Sequence, residues 1–157
     1  PAPPWSTVQW FGHAGAPLTL QALRGRVVVL HAFQMLCPGC VHHGLPQAQR
    51  IAATFAEADV AVVGLHTVFE HHAAMTPVSL EAFLHENRIA FPVGVDAPAA
   101  DGGDPIPQTM RRYALRGTPS LLLIDRRGDL RRHGFGAEDD LAVGAAIATL
   151  LAEPVDR

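Results

Sequence analysis

The sequence contains no lysine, and all 12 basic residues of the 157-residue chain are arginines. Lysine chemistry, such as formation of a Schiff base with a substrate carbonyl, is therefore excluded. The arginines are scattered among 15 acidic residues, the net charge is −3, and no basic run could neutralise several phosphates together. For this reason we do not expect the protein to bind nucleic acid.

Long apolar runs are also absent, since no stretch approaches the ~20 residues that a membrane-spanning helix needs. Hydrophobic residues still make up 48% of the chain, which is enough for one ordinary core. We predict a single domain over residues 1–157, with the Pro-rich residues 1–6 as an extended tail. The chain begins at Pro1 without Met, which indicates a trimmed or processed product. Its compartment therefore stays open: cytoplasmic, or extracytoplasmic if an upstream signal or anchor was removed.

Cysteine is scarce, and both cysteines, Cys37 and Cys40, lie directly after the apolar run 27–33. Two cysteines are too few for a disulfide-stapled mini-protein, but Cys-x-x-Cys between a strand and a helix is typical of a redox dithiol. Cys37, at the helix N-terminus, would have its thiolate stabilised by backbone N–H groups and the helix dipole. Pro38 suits the first helical position, and Gly39 leaves the backbone uncrowded. Cys40, one turn further on, would be the resolving thiol.

The remaining patterns predict an α/β order of elements. The strand–helix–strand spacing from residue 27 to residue 66 implies a right-handed crossover and a parallel strand pair. Pro46 predicts a kink in the first helix, and Ser79 or Thr76 would cap the second. Residues 96–107 are predicted to form a mobile surface loop. The predicted strands are 7–11 and 17–20 (a hairpin), 27–33, 60–66, 91–95, 121–125 and 129–135, and the predicted helices are 41–58, 78–87, 108–115 and 137–151.

A second motif, Gly117-Thr118-Pro119-Ser120, follows Cys40 by about eighty residues. With both motifs in this order, the chain resembles the thioredoxin-like superfamily over residues 7–151, specifically the redoxin branch that includes TlpA-like thiol:disulfide oxidoreductases. The resemblance implies a three-layer sandwich whose mixed central sheet is flanked by helices, with an N-terminal hairpin and an insertion after the second central strand. It also implies that Pro119 follows a cis peptide bond beside the dithiol, and that the backbone of Thr118 pairs with the substrate chain.

The sequence departs from the pattern of that family at three points. Leu36 stands before the first cysteine, where the family usually has an aromatic residue. Pro46 follows Cys40 by six residues where five is usual, so one extra residue must be absorbed, and Gly44 is the position we expect to absorb it. The order Pro38-Gly39 is the reverse of that in thioredoxin itself. These departures bear on redox potential and partner choice.

The predicted activity is thiol–disulfide exchange with protein substrates through a mixed disulfide, without a cofactor. The partners would be protein thiols or disulfides and a second redox protein that donates or accepts electrons. Glu70, after the second buried strand, is an acid/base candidate for Cys40, and a solvated loop glutamate is an equal alternative. A second function is a peroxiredoxin-like peroxidase with Cys37 peroxidatic and Cys40 resolving. That class expects Thr or Ser and Pro where this chain has Gln34 and Leu30.

A third function is a metal-binding or delivery module that uses Cys37, Cys40 and a nearby histidine, since thiolates and imidazoles suit zinc or copper. The nine histidines include adjacent pairs at 42–43 and 71–72. Neighbouring residues on a helix point about 100° apart, so residues 42 and 43 cannot both face one ion. We therefore predict no metal site. His31, inside the first buried strand, is predicted to be a hydrogen-bonded core histidine.

Overall fold

A computed structural model describes residues 1–155 of the chain as a six-stranded mixed sheet covered by helices. The strand order across the sheet is β1-β4-β3-β2-β5-β6. The strands are β1 (Thr7–Phe11), β2 (Val27–Phe33), β3 (Val60–His66), β4 (Val93–Asp96), β5 (Ser120–Ile124) and β6 (Leu130–Phe135). The helices are α1 (Leu45–Thr54), α2 (Pro77–Glu86), α3 (Gln108–Arg112) and α4 (Asp140–Ala152), with a 3₁₀ turn at Gln21–Leu23 and a π-helical turn at Cys40–Gly44.

The two central strands, β2 and β3, are parallel and buried along their whole length, as the uninterrupted apolar runs predicted. Such a run is required because both faces of the sheet are covered. On one face Val29 and Phe33 pack with residues of α1, α2 and α4. On the other face Val28 and Leu30 pack with Met110 of α3 and with the N-terminal segment. The predicted three-layer α/β arrangement is therefore confirmed.

The predicted N-terminal hairpin is wrong. Strand β1 pairs antiparallel with β4, and residues 17–20 form no strand. Gly94 of β4 allows this pairing, because a Cβ there would lie 2.9 Å from the Trp10 ring that covers it. Residues 17–20 instead pack beside the N-terminal segment, where Trp5 Nε1 donates to the carbonyl of Leu18 at 2.7 Å. A turn between two nearby apolar segments was the wrong inference, since the partner of β1 lies far along the chain.

The helices differ from prediction mainly at their ends. The first helix begins at Pro38, continues through the π-helical turn Cys40–Gly44 and ends at Thr54 rather than at residue 58, because Phe55 is extended. Of the two cap candidates, Thr76 and not Ser79 caps α2: its side-chain oxygen accepts a hydrogen bond from the Ser79 N–H at 3.2 Å. Helix α3 stops at Arg112, and α4 starts after its cap, Asp139. The hairpin β5–β6 is antiparallel, as predicted, and the mobility of residues 96–107 stays a prediction.

The sheet topology brings three loops together at one edge. The carboxyl ends of β2, β3 and β4 share that edge because these strands are mutually parallel. Strand β5 is antiparallel to β2 and starts there, with Ser120 opposite Ala32. The turn 34–37, the loop 67–76 and the segment 116–119 therefore lie side by side. Among the helices of the described residues, none is both long and apolar enough to cross a membrane.

Candidate active site

The two cysteines lie at the start of the helix that follows β2, and both are free thiols. Helical residues begin at Pro38, the position at which a missing N–H removes no helical hydrogen bond. Cys37 is partly exposed, whereas Cys40 is fully buried. The backbone N–H of Cys40 points at Cys37 Sγ across 3.4 Å. The helix N-terminus is therefore directed at the accessible sulfur.

The environment of Cys40 keeps its proton in place. Burial, together with the hydrogen bond with Cys37, raises the pKa of the Cys40 thiol to about 12. A thiol with such a pKa is protonated at neutral pH and is a poor nucleophile until its proton is removed. The structure thus separates an accessible sulfur at Cys37 from a protonated, buried sulfur at Cys40.

The segment before β5 forms the second wall of the site. The Thr118–Pro119 peptide bond is cis, as the resemblance implied. Cys37 Sγ lies 3.5 Å from the carbonyl oxygen of Thr118, to which the thiol donates. Gly39 permits this approach, because a Cβ at that position would lie 3.3 Å from Pro119 Cδ. The dithiol helix and the cis-proline segment are therefore in direct contact.

A cleft of about 280 Å³ opens in front of Cys37. Its walls include Pro38, Thr118 and the half-exposed side chain of Leu36. Glu70 lines the same cleft with its side chain exposed to solvent. Glu70 therefore shares the cleft with Cys37 rather than lying within the buried surroundings of Cys40, and its acid/base role stays a prediction.

The extra residue after Cys40 is accommodated by the π-helical turn Cys40–Gly44. Pro46 lies in the first turn of α1, directly after the π-helical turn. The π turn is a departure from regular α geometry at this point, and the kink at Pro46 stays a prediction. A Cβ at Gly44 would overlap Cε1 of His31 and would lie 3.0 Å from Pro119 Cβ. Gly44 therefore absorbs the insertion and also allows the helix to approach the sheet.

His31 is buried, as predicted, but its Nε2 has no hydrogen-bond partner among the described residues. The prediction of a bonded core histidine is therefore wrong for this nitrogen. Burial, together with the nearby His43, lowers the pKa of His31 to about 3. The ring stacks on Phe33 at 5.6 Å between centroids. The imidazole is thus neutral and packs as an apolar ring.

One histidine of each adjacent pair hydrogen-bonds to a distant segment of the chain. Nε2 of His43 lies 2.9 Å from the carbonyl oxygen of Glu138, and Nε2 of His72 lies 3.1 Å from that of Pro105. Within residues 1–155, no group of three or more His, Cys, Asp or Glu side chains is arranged to hold a metal ion.

Two polar residues at this edge were not predicted as part of the site. His66, the last residue of β3, accepts a hydrogen bond at Nε2 from the backbone N–H of Met35 at 3.1 Å. Gln34, the first residue after β2, accepts from the backbone N–H of Phe69 at 3.1 Å through its side-chain oxygen. Both are buried. Polar residues that close apolar strands at the carboxyl edge of a parallel pair were the available signal, because that edge carries the ligand sites of open α/β sheets.

The mixed sheet, the dithiol at a helix N-terminus and the cis-proline beside it define a thioredoxin-like protein. The AhpC/TSA family profile matches residues 1–133, and the chain belongs to this family, within the thioredoxin-like redoxin superfamily.

Solved structures and curated relatives agree with this assignment. The thioredoxin-like superfamily protein SPOA0173 is 61% identical and superposes with a TM-score of 0.95, covering 99% of this chain and 98% of that one. A thiol-disulfide isomerase from Corynebacterium glutamicum is 49% identical, with a TM-score of 0.91 and 98% of each chain covered. Protein DipZ from Mycobacterium bovis is 27% identical over 131 residues, which are 83% of this chain and 17% of DipZ. The chain thus spans about a sixth of the length of that curated relative.

These relatives support a function of the thiol–disulfide oxidoreductase type. They give the peroxidase alternative no better support.

Proposed function

We propose that the protein exchanges disulfides with polypeptide substrates through a mixed disulfide at Cys37. The observation that carries the proposal is the asymmetry of the dithiol. Cys37 Sγ lines an open cleft and faces the Cys40 N–H, whereas Cys40 is buried behind it. An incoming disulfide can therefore reach only the sulfur of Cys37. The sulfur of Cys40 lies one helical turn away, close enough to attack in the second step.

In the first step, the Cys37 thiolate attacks one sulfur of a substrate disulfide and the other substrate sulfur leaves as a thiolate. In the second step, Cys40 loses its proton and attacks Cys37 Sγ, which releases the second substrate thiolate. The substrate gains two electrons and the protein becomes the Cys37–Cys40 disulfide. Run in reverse, the same steps oxidise a substrate dithiol, and a second redox protein resets the dithiol in either direction.

The other predicted site residues take supporting roles in this proposal. Thr118 offers its backbone to the substrate chain, and Pro119 walls the cleft beside the sulfurs. Pro38 and Gly39 shape the turn that carries the dithiol. Glu70, exposed in the same cleft, is assigned the exchange of protons with solvent during resolution.

Trapping the intermediate tests the proposal. We expect Cys40→Ser, mixed with a short peptide that contains one intramolecular disulfide, to accumulate a covalent adduct whose mass is that of protein plus peptide. The adduct should disappear on reduction, and the wild-type protein should turn over without accumulating it. Cys37→Ser is the matched control and should form no adduct, because Cys40 is buried.

A different set of results would contradict the exchange proposal. In that case Cys40→Ser forms no adduct, hydrogen peroxide converts Cys37 to a sulfenic acid, and a thiol donor supports continuous peroxide consumption. The protein would then be a peroxidase.

A further inference from the structure

The turn that leads from β2 to the dithiol is held by a histidine of the neighbouring strand. The backbone N–H of Met35 donates to Nε2 of His66 at 3.1 Å. His66 is the last residue of β3 and is 1% exposed. Its ring lies 5.1 Å from the ring of Phe33, between centroids, at an angle of 49°. Because the imidazole is packed in the core, it cannot turn away from Met35 without disturbing β2.

The hydrogen bonds of Gln34 have partners that do not titrate. Gln34 accepts from the Phe69 N–H through its side-chain oxygen and from the Cys37 N–H through its carbonyl, each at 3.1 Å. Among these bonds, which precede the Cys37 thiol, the bond from Met35 to His66 is therefore the one that a proton can break. Cys37 follows Met35 by two residues, so a shift of Met35 moves Cys37 relative to its partners at Cys40 and Thr118.

We propose that neutral His66 is a positioning residue for Cys37. By accepting the Met35 N–H it fixes the turn and so holds Cys37 Sγ against the Cys40 N–H. Since Nε2 accepts, the imidazole proton is on Nδ1. A proton added at Nε2 would place a donor against the Met35 donor and break the bond. The consequence for exchange rests on the proposed function, but the placement of Cys37 is measurable without any protein substrate.

The surroundings of His66 set the pH at which this happens. Burial lowers the pKa of His66 to about 4, so the acceptor persists through neutral and mildly acidic conditions. His66 also borders a cavity of about 460 Å³ whose titratable side chains are His72, Asp96 and Asp104. His31 lies across the Phe33 ring. The cavity gives protons a route to the imidazole. The hydrogen bond from Met35 to His66, and with it the placement of Cys37, should be lost as the pH approaches 4.

Thiol reactivity of Cys37 in the reduced full chain tests the proposal. The probe is 4,4′-dithiodipyridine, which reacts with thiols at acidic as well as neutral pH, and mass spectrometry confirms the modified cysteine. His66→Leu removes the acceptor, and we expect its rate constant at Cys37 near pH 7 to change by about tenfold, the scale of one lost hydrogen bond. His66→Gln restores an acceptor that does not titrate, and should react within about threefold of wild type.

The pH profile separates positioning from simple packing. The wild-type rate should show a step near pH 4 that His66→Gln lacks. His72→Gln, in the same cavity, is the matched control and should keep the step. If His66→Leu reacts like wild type, or if His66→Gln matches His66→Leu, the acceptor has no such role and the proposal is overturned.

Hydrogen exchange at the Met35 amide of the wild-type protein gives a result that does not depend on how the variants fold. We expect the amide to be protected near neutral pH and to lose protection as the pH falls through about 4, and an unprotected Met35 amide near neutral pH overturns the proposal. The two proposals also fail separately. Altered Cys37 reactivity in His66→Leu with no peptide adduct in Cys40→Ser leaves the positioning role and removes the exchange function. If Cys40→Ser forms the peptide adduct but Cys37 in His66→Leu reacts like wild type, the exchange function stands and the positioning role is removed.

Discussion

At residue 44 the absence of a Cβ decides how closely the dithiol helix can approach the sheet. The atoms that a Cβ would meet belong to His31 and Pro119, and neither can move aside easily. The His31 ring is buried and stacked on Phe33, and proline has no side-chain rotamer that would withdraw it. Strand β2, the π-helical turn and the cis-proline segment therefore meet at one glycine.

We expect Gly44→Ala to lower the free energy of unfolding by about 1–3 kcal/mol, the range for overpacking a tight interior. Gly144→Ala is the matched control: it lies within α4, nothing stands within 4 Å of the point where its Cβ would lie, and alanine in a helix interior should stabilise by up to about 1 kcal/mol. Urea unfolding of both variants measures the difference. Equal effects of the two substitutions would contradict the assigned role of Gly44.

At the scale of elements, the sequence predicted those features that depend on local pattern. Contiguous stretches of sequence were enough to recognise the buried strands β2 and β3, the dithiol after β2 and the β5–β6 hairpin. The hairpin at 7–11 and 17–20 failed because β1 pairs with β4 about eighty residues away, and no local signal encodes that partner. Likewise, counting residues after Cys40 located the insertion, but only the backbone hydrogen bond from Leu45 to Cys40 shows that it takes the form of a π turn. His66 was missed because its function lies in a hydrogen bond to another element.

Helix α4 has a side-chain cap at Asp139, the residue before its first helical residue. The Asp139 carboxylate accepts from the Ala142 N–H at 3.1 Å. We expect Asp139→Ala to lower the free energy of unfolding by about 1 kcal/mol, and Asp139→Asn, which keeps an acceptor oxygen, to lower it by clearly less. Urea midpoints compare the two variants. If alanine and asparagine are equally damaging, the helix dipole rather than the capping hydrogen bond accounts for the effect.

For the whole molecule, the response to acid follows from which groups titrate in which range. His31 and His66 are both buried, and burial lowers their pKa values to about 3 and about 4. The hydrogen bonds from Arg50 and Gln47 lower the pKa of Asp140 to about 2. The stabilisation that the ionised Asp140 carboxylate provides is therefore lost only in stronger acid. Burial raises the pKa of Asp96, which opposes the histidines above pH 4. Between about pH 6.5 and about pH 4 the two buried histidines therefore lower the stability as the pH falls, and Asp96 opposes them.

In that range the unfolded chain binds protons at residues 31 and 66 and the folded chain does not, so stability falls as the pH falls. For His31 alone the loss at pH 5 is about 2 kcal/mol relative to neutral pH. We expect His31→Leu, which also removes the unpartnered Nε2, to be at least as stable as wild type near pH 7.5. The difference in free energy of unfolding between His31→Leu and wild type should increase by about 2 kcal/mol at pH 5, in favour of the variant. Urea unfolding at both pH values measures it, with His85→Gln on the exposed face of α2 as the control. A gap that is the same at both pH values would mean that His31 carries its proton in the folded protein, and its ring would then need a partner that the packing around Gly44 and Pro119 does not offer.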